Sequence, residues 1–275
     1  MLELDEMKLY RGKEDIVITP KIIVTQPKLE QIIEFGEKRY FSAMHTLTGV
    51  GADFKWQLMD YFNIDYTTIG DYELFVKLIA PAVSSKKRVY EAWKKDPEKY
   101  KKELDALTPE LLEDMLVNPL KLILKDIDLA DFVPCKVYDD EVVLYNVERD
   151  ITIDKAVYSQ MVDVVRRIHG FKRNGETPAN ETTKRNLIED ARDDYLAAQQ
   201  KPYKSILKPL ISALTVKSGM CGDDRVFNMG IHMFFDNLKR IGKIQDAELL
   251  LQGAYSGFAS LKGIDKNRLD WAGDI

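Results

Sequence analysis

The chain has 275 residues, which allows one large domain or two ordinary ones and excludes a mini-protein dependent on disulfides or a metal. Its 45% apolar and 31% charged residues are those of a folded chain, and 15 Gly with 10 Pro exclude collagen-like and disordered classes. The net charge of −5, from 40 basic and 45 acidic side chains, excludes a nucleic-acid binder that relies on an overall positive field.

Acidic residues from Glu3 to Glu6 stand where a signal peptide needs positive charge, so no export signal is expected. The apolar stretch Leu74 to Val83 contains Lys77 and Pro81 and is far short of the ~20 residues that cross a bilayer, so no membrane partner is expected. The two cysteines, Cys135 and Cys221, lack the paired spacing of a zinc site and fit a reducing compartment, the cytoplasm of the producing cell.

In chain order, Lys8–Tyr10, Ile16–Thr19 and Ile22–Val24 are read as strands of a short hairpin region interrupted at Arg11-Gly12-Lys13. Pro27 opens a helical pattern through Leu29, Ile32, Ile33, Phe35 and Tyr40 that is expected to run to about Leu47. A second helix follows the Gly49–Gly51 break through Trp56 and Phe62, and a third starts at Asp71 and is expected to stop at Pro81. Residues 86–102 form the most basic window, with eight Lys or Arg against three Asp or Glu, 8 − 3 = +5. Thr108-Pro109-Glu110 reads as a helix start. Residues 132–147 read as two strands around the acidic turn Asp139-Asp140-Glu141. Beyond Asp154 helices are expected to Ile168, from Glu181 to before Pro202, over Ile206–Val216, over Phe227–Ile241 and over Asp246–Leu251.

The resulting fold class is mainly α (α+β), a multi-helix domain with two small β-hairpin regions. The chain divides into 1–83, a basic helical insertion at 84–118 bracketed by Pro81 and Pro119, and 119–275, the first and last packed as one body. The insertion is expected to protrude.

Little in the chain carries chemistry. His45, His169 and His232 fall in different helices, none with a second His or carboxylate at the i, i+4 spacing of a helical metal site, and are read as packing or capping residues. Gly253, Gly257 and Gly263 follow a helix rather than a strand and match neither a P-loop nor a dinucleotide loop. Ser256 lacks the nucleophile-elbow pattern, and the acidic pairs Asp193-Asp194 and Asp223-Asp224 read as solvated carboxylates. No catalytic residue, cofactor or metal is expected. The basic window interleaves Tyr90, Trp93 and Tyr100 with its cations, the ingredients for stacking on single-stranded nucleic acid, although the same pattern describes a solvated amphipathic helix.

The C-terminal third carries Leu210-Ile211-Ser212-Ala213-Leu214, the run Val226 to Asp236, Leu238-Lys239-Arg240-Ile241, Gly253-Ala254-Tyr255-Ser256-Gly257 and Leu269-Asp270-Trp271 in that order. With Ile32–Gly36 and Asn63–Tyr66 near the N-terminus, this succession resembles the tail assembly chaperones of long-tailed phages (siphophages) of Gram-positive bacteria. The likeness covers most of the chain and is weakest from Ser84 to Asn118.

The resemblance implies a non-enzymatic virion morphogenesis protein of the host cytoplasm. It would bind the tape-measure protein, with the tail tube protein and a second copy of the chain, as a homo-oligomer, as further candidate partners. The residues singled out for that partner are Phe227, Ile231, Phe234, Phe235 and Leu238, a helical stripe, together with Trp271. The alternative function is a nucleic-acid-binding accessory role for segment 86–102.

Overall fold

The structure of the protein, a computed structural model, describes residues 4–137, 141–220, 224–258, 260 and 262–273. The acidic turn at Asp139-Asp140, Cys221 and Asp223 of the second acidic pair lie outside the described residues. The fold is mainly α with two small antiparallel sheets.

Asp5 opens the first helix, α1 (Glu6–Arg11), its carboxylate accepting from the amides of Met7 and Lys8, and Gly12 closes it in the left-handed conformation at φ 61°. Lys8–Tyr10 is therefore helical and not the expected strand, because a cap at each end stabilises a turn that three residues of β-propensity do not outweigh. The strands β1 (Ile16–Thr19) and β2 (Ile22–Val24) make the hairpin, and Leu124 adds an isolated bridge beside Val24.

The expected helix from Pro27 to Leu47 is two helices, α2 (Leu29–Phe35) and α3 (Glu37–Thr48). Gly36 between them has φ 100° and ψ 106°, a backbone region open essentially to glycine alone, so the chain turns there despite continuous helical spacing. After a 3-10 turn comes α4 (Lys55–Phe62), ended by Asn63 at φ 51°.

Pro81 does not stop the third helix. The segments α5 (Asp71–Leu74), a π-helical turn Phe75–Ile79 and α6 (Ala80–Lys95) follow without leaving helical dihedrals. A proline inside a helix lacks an amide proton and crowds the carbonyl four residues back. The widened turn, in which the Ala80 amide donates to Phe75, relieves that crowding. The first half of α6 packs on the 3-10 turn Leu129–Asp131. There Ser84 is buried, Lys87 pairs with Asp128 and Asp131, and Arg88 donates to the carbonyls of Leu129 and Phe132. Helices α7 (Lys101–Asp105) and α8 (Pro109–Leu116, capped by Thr108) complete this region, and no residue from 85 to 119 is buried.

The second sheet holds β3 (Val133–Lys136), β4 (Val142–Asn146) and a strand absent from the expectation, β5 (Ile151–Ile153). Helix α9 (Lys155–His169) is the hub. It starts at the Asp154 cap, buries Tyr158, Met161, Val162, Val164, Val165, Ile168 and His169, and packs against α3, α5, β1, β2, β5 and α12 (Ile231–Tyr255). Helices α10 (Glu181–Gln199) and α11 (Leu207–Ser218) follow it in the chain and pack on α4 and α12 respectively. The two final helices expected at 227–241 and 246–251 are one continuous α12, since nothing between them breaks the backbone. A single hydrophobic core draws on residues from Leu9 to Ala80 and from Leu120 to Phe234. Among the described residues no helix is long and apolar enough to cross a membrane.

Candidate partner-binding groove

The first turn of α2 depends on a distant segment. The amides of Leu29 and Glu30, which have no partner within their own helix, donate to the carbonyls of Met229 and Phe227 at 3.0 and 2.9 Å. In return the Ile231 amide donates to the Pro27 carbonyl at 3.0 Å, so residues 227–231 are stitched to residues 27–30. A Cβ at Gly230 would lie 2.4 Å from Gln26 Oε1, so a larger residue there would require the Gln26 side chain to shift.

On the other side of α2, Glu37 caps α11. Its carboxylate accepts from Ser205 Oγ at 2.6 Å and from the amides of Ile206 and Leu207 at 2.5 and 2.8 Å. Burial works to raise this carboxyl, but hydrogen bonds from Ser205, Leu207 and Ile206 together outweigh it and hold Glu37 below the usual carboxylate range.

These two ties leave a groove of about 640 Å³ between α2, α11 and the turn before α12. Ile33, Leu207, Ile211, Met220 and Phe227 supply its apolar walls, and Lys208 and Asp224 supply charge. Leu207 is buried, whereas Ile33 is 46% and Phe227 36% exposed. Val216 of α11 and Ile206 at its N-cap are also exposed, and only Leu207 and Leu214 of that helix are buried. An apolar helix with so little of itself covered presents hydrophobic surface to solvent, the usual mark of an interaction site.

The stripe expected from Phe227 through Leu238 divides. Phe227 precedes the helix, which begins at Ile231, so the five residues do not share one helical face; it is the one that reaches the groove. Ile231 and Phe234 are fully buried and offer no surface, while Phe235 and Leu238 are half-buried against the core. Trp271 lies far along the chain, 59% exposed, with its carbonyl accepting from Arg240. Ile33 and Ile211 are groove residues that sequence reasoning assigned to helix interiors. The available signal was that α11 carries more apolar residues than one buried face requires.

No family model, curated protein or solved structure matches this chain. The groove must therefore be read on its own chemistry.

In the basic window, Lys86 and Arg39 both reach Asp114, Lys87 is paired, and Arg88 is hydrogen-bonded to backbone carbonyls. Three of its eight cations are thus engaged within the protein, and Lys94 and Lys99 lie over the rings of Tyr90 and Tyr100. The histidines pack: His45 meets Phe54 edge-on, His232 Nδ1 lies 3.1 Å from the Arg167 carbonyl, and His169 is buried.

Proposed function

We propose that this protein is a non-enzymatic assembly chaperone that holds an amphipathic helix of a tape-measure-type partner in the groove between α2 and α11. The exposed Ile33 and Phe227 side chains, with the partly buried Ile211 between the same walls, carry this reading. A groove lined this way accepts the apolar face of a helix anchored at i, i+3 and i+7 positions. Lys208 and Asp224 would orient the incoming helix by pairing with an acid and a base on its polar edge. The resemblance to siphophage tail assembly chaperones names a partner with that chemistry, a long apolar helical protein exposed before the tail tube encloses it.

Co-purification of the tagged protein with a co-expressed siphophage tape-measure protein tests the proposal. Phe227→Ala combined with Ile211→Asp is expected to reduce capture at least tenfold while leaving the far-ultraviolet circular dichroism spectrum unchanged. Capture unaffected by the double substitution overturns it.

A further inference from the structure

Two surfaces on different helix pairs carry aromatic rings and opposite charge. The first lies on α4 and α10, which pack antiparallel: Lys184 pairs with Asp65, Arg192 with Asp60, and the Tyr195 ring lies 4.9 Å from that of Trp56. From Trp56 the contact continues to Tyr61 at 5.5 Å and from there to Phe62 at 6.5 Å, so one row of rings crosses both helices. Trp56 is buried, whereas Tyr61, Phe62, Tyr195 and Leu196 are exposed. Single exposed rings are ordinary, but a contiguous row marks an interaction site.

The border of this row is acidic. Residues 189–194 hold four carboxylates and one cation, Arg192, which Asp60 already binds bidentately at 2.6 and 2.8 Å. Glu189 and Asp193 stand one turn apart, with Leu196 three residues further on, so all three share an edge of α10. Arg185, one turn before Glu189, offsets part of that charge.

The second surface is the C-terminal half of α6 with the start of α7. Residues 94–102 hold five lysines against two carboxylates. Among the described residues none of these lysines makes an ion pair, and neither do Glu189 and Asp193. Val89 is exposed one turn before Trp93, and the Trp93 ring lies 6.4 Å from that of Tyr100. Lys94 stands over the Tyr90 ring at 5.6 Å and Lys99 over the Tyr100 ring at 5.0 Å, so cations and rings form one surface.

An acidic aromatic row and a basic aromatic surface on one chain complement each other in charge and in ring chemistry. They belong to separate helix pairs, α4 with α10 and α6 with α8. We propose that a second copy of this chain docks its α6–α7 surface on the α4–α10 row, setting its lysines at 94 and 99 against Glu189, Asp193 and the rings of Tyr61 and Phe62. Each copy then keeps one unused surface, so the contact is heterologous and extends from copy to copy. It does not depend on what occupies the groove between α2 and α11.

Sedimentation velocity of the full chain at about 50 mM and about 500 mM NaCl tests the proposal. The wild-type chain is expected to associate reversibly as its concentration rises, about tenfold more weakly at the higher salt. Lys94→Glu with Lys99→Glu is expected to be monomeric, as is Glu189→Lys with Asp193→Lys, each with an unchanged far-ultraviolet circular dichroism spectrum. Mixed in equal amounts, these two double variants are expected to associate again, because the charges of one then oppose those of the other. Phe62→Ser, at an exposed ring, is expected to weaken association several-fold. Any of four results overturns the proposal. They are a wild-type chain that stays monomeric at low salt, which leaves its lysines to another partner such as single-stranded DNA; association that survives either charge reversal; double variants that remain monomeric when mixed; and association unchanged by Phe62→Ser.

Discussion

His169, the last residue of α9, makes two buried hydrogen bonds: its Nδ1 lies 2.7 Å from the Val165 carbonyl and its Nε2 2.6 Å from the Tyr40 hydroxyl. The Val165 carbonyl can only accept, so Nδ1 carries the proton, and in the neutral ring that burial favours Nε2 accepts from the Tyr40 hydroxyl. Burial pushes its pKa down to about 4, from 6.5 in an exposed imidazole, and burial also raises the Tyr40 phenol well above its usual value. Below pH 6.5 the unfolded chain takes up a proton that the folded one refuses until about pH 4, so this group's contribution is complete above pH 6.5 and is lost as pH falls through that window. The loss amounts to about 3 kcal/mol at most. Urea midpoints of the wild-type protein and His169→Gln are expected to differ most at pH 7 and to converge by pH 4. A difference independent of pH would show that the ring is not held neutral.

At the scale of elements, α12 separates two roles that a single apolar stripe had joined. Phe234, on its first turn, is fully buried and stands edge-on to Phe235 at 5.4 Å, whereas Phe227 belongs to the turn that caps α2 and borders the groove. Phe234→Ala is expected to cost about 3–5 kcal/mol, through lost burial and the cavity left behind. Phe227→Ala is expected to cost about 1 kcal/mol or less, as for other partly exposed side chains, and to reveal itself in partner capture. Denaturant midpoints measured on both variants check the contrast, and equal losses would place both rings in the core. The groove itself was only partly legible. Phe227 was singled out from spacing, but Ile33 and Ile211 come to it from helices that meet only because Glu37 caps α11 and the 227–229 carbonyls cap α2. Contacts across 169 to 200 residues leave no local trace in sequence.

Across the whole molecule, burial is concentrated around α9 and fades toward the C-terminus. Ala247 is the last buried residue among those described, and Tyr255, Phe258 and Trp271 are 88%, 94% and 59% exposed. The segment after α12 is attached by the Arg268–Asp246 pair and by Arg240 donating to the carbonyls of Trp271 and Gly273. Exposed ion pairs of this kind contribute about 0–1 kcal/mol each. Deleting residues 257–275 is therefore expected to lower the unfolding free energy by about 1 kcal/mol and to leave a single cooperative transition in urea. Loss of cooperativity would mean that the terminal segment completes the core.

The sequence by itself determined the helical class, the hairpins at residues 16–24 and 133–146, and the starts of α8, α9 and α10. Those features rest on caps such as Thr108, Asp154 and Asn180 and on apolar spacing within one element. Only the tertiary structure decided the rest. The π-turn carried the chain past Pro81, and the positive φ of Gly36 divided one periodic run in two. The pairing of Lys87 and Arg88 with the 128–132 segment fixed the base of a region that charge alone set apart. In each case the deciding partner, or the backbone accommodation, lies outside the window that periodicity surveys, so local pattern could place the elements but could not say which of their faces remain open.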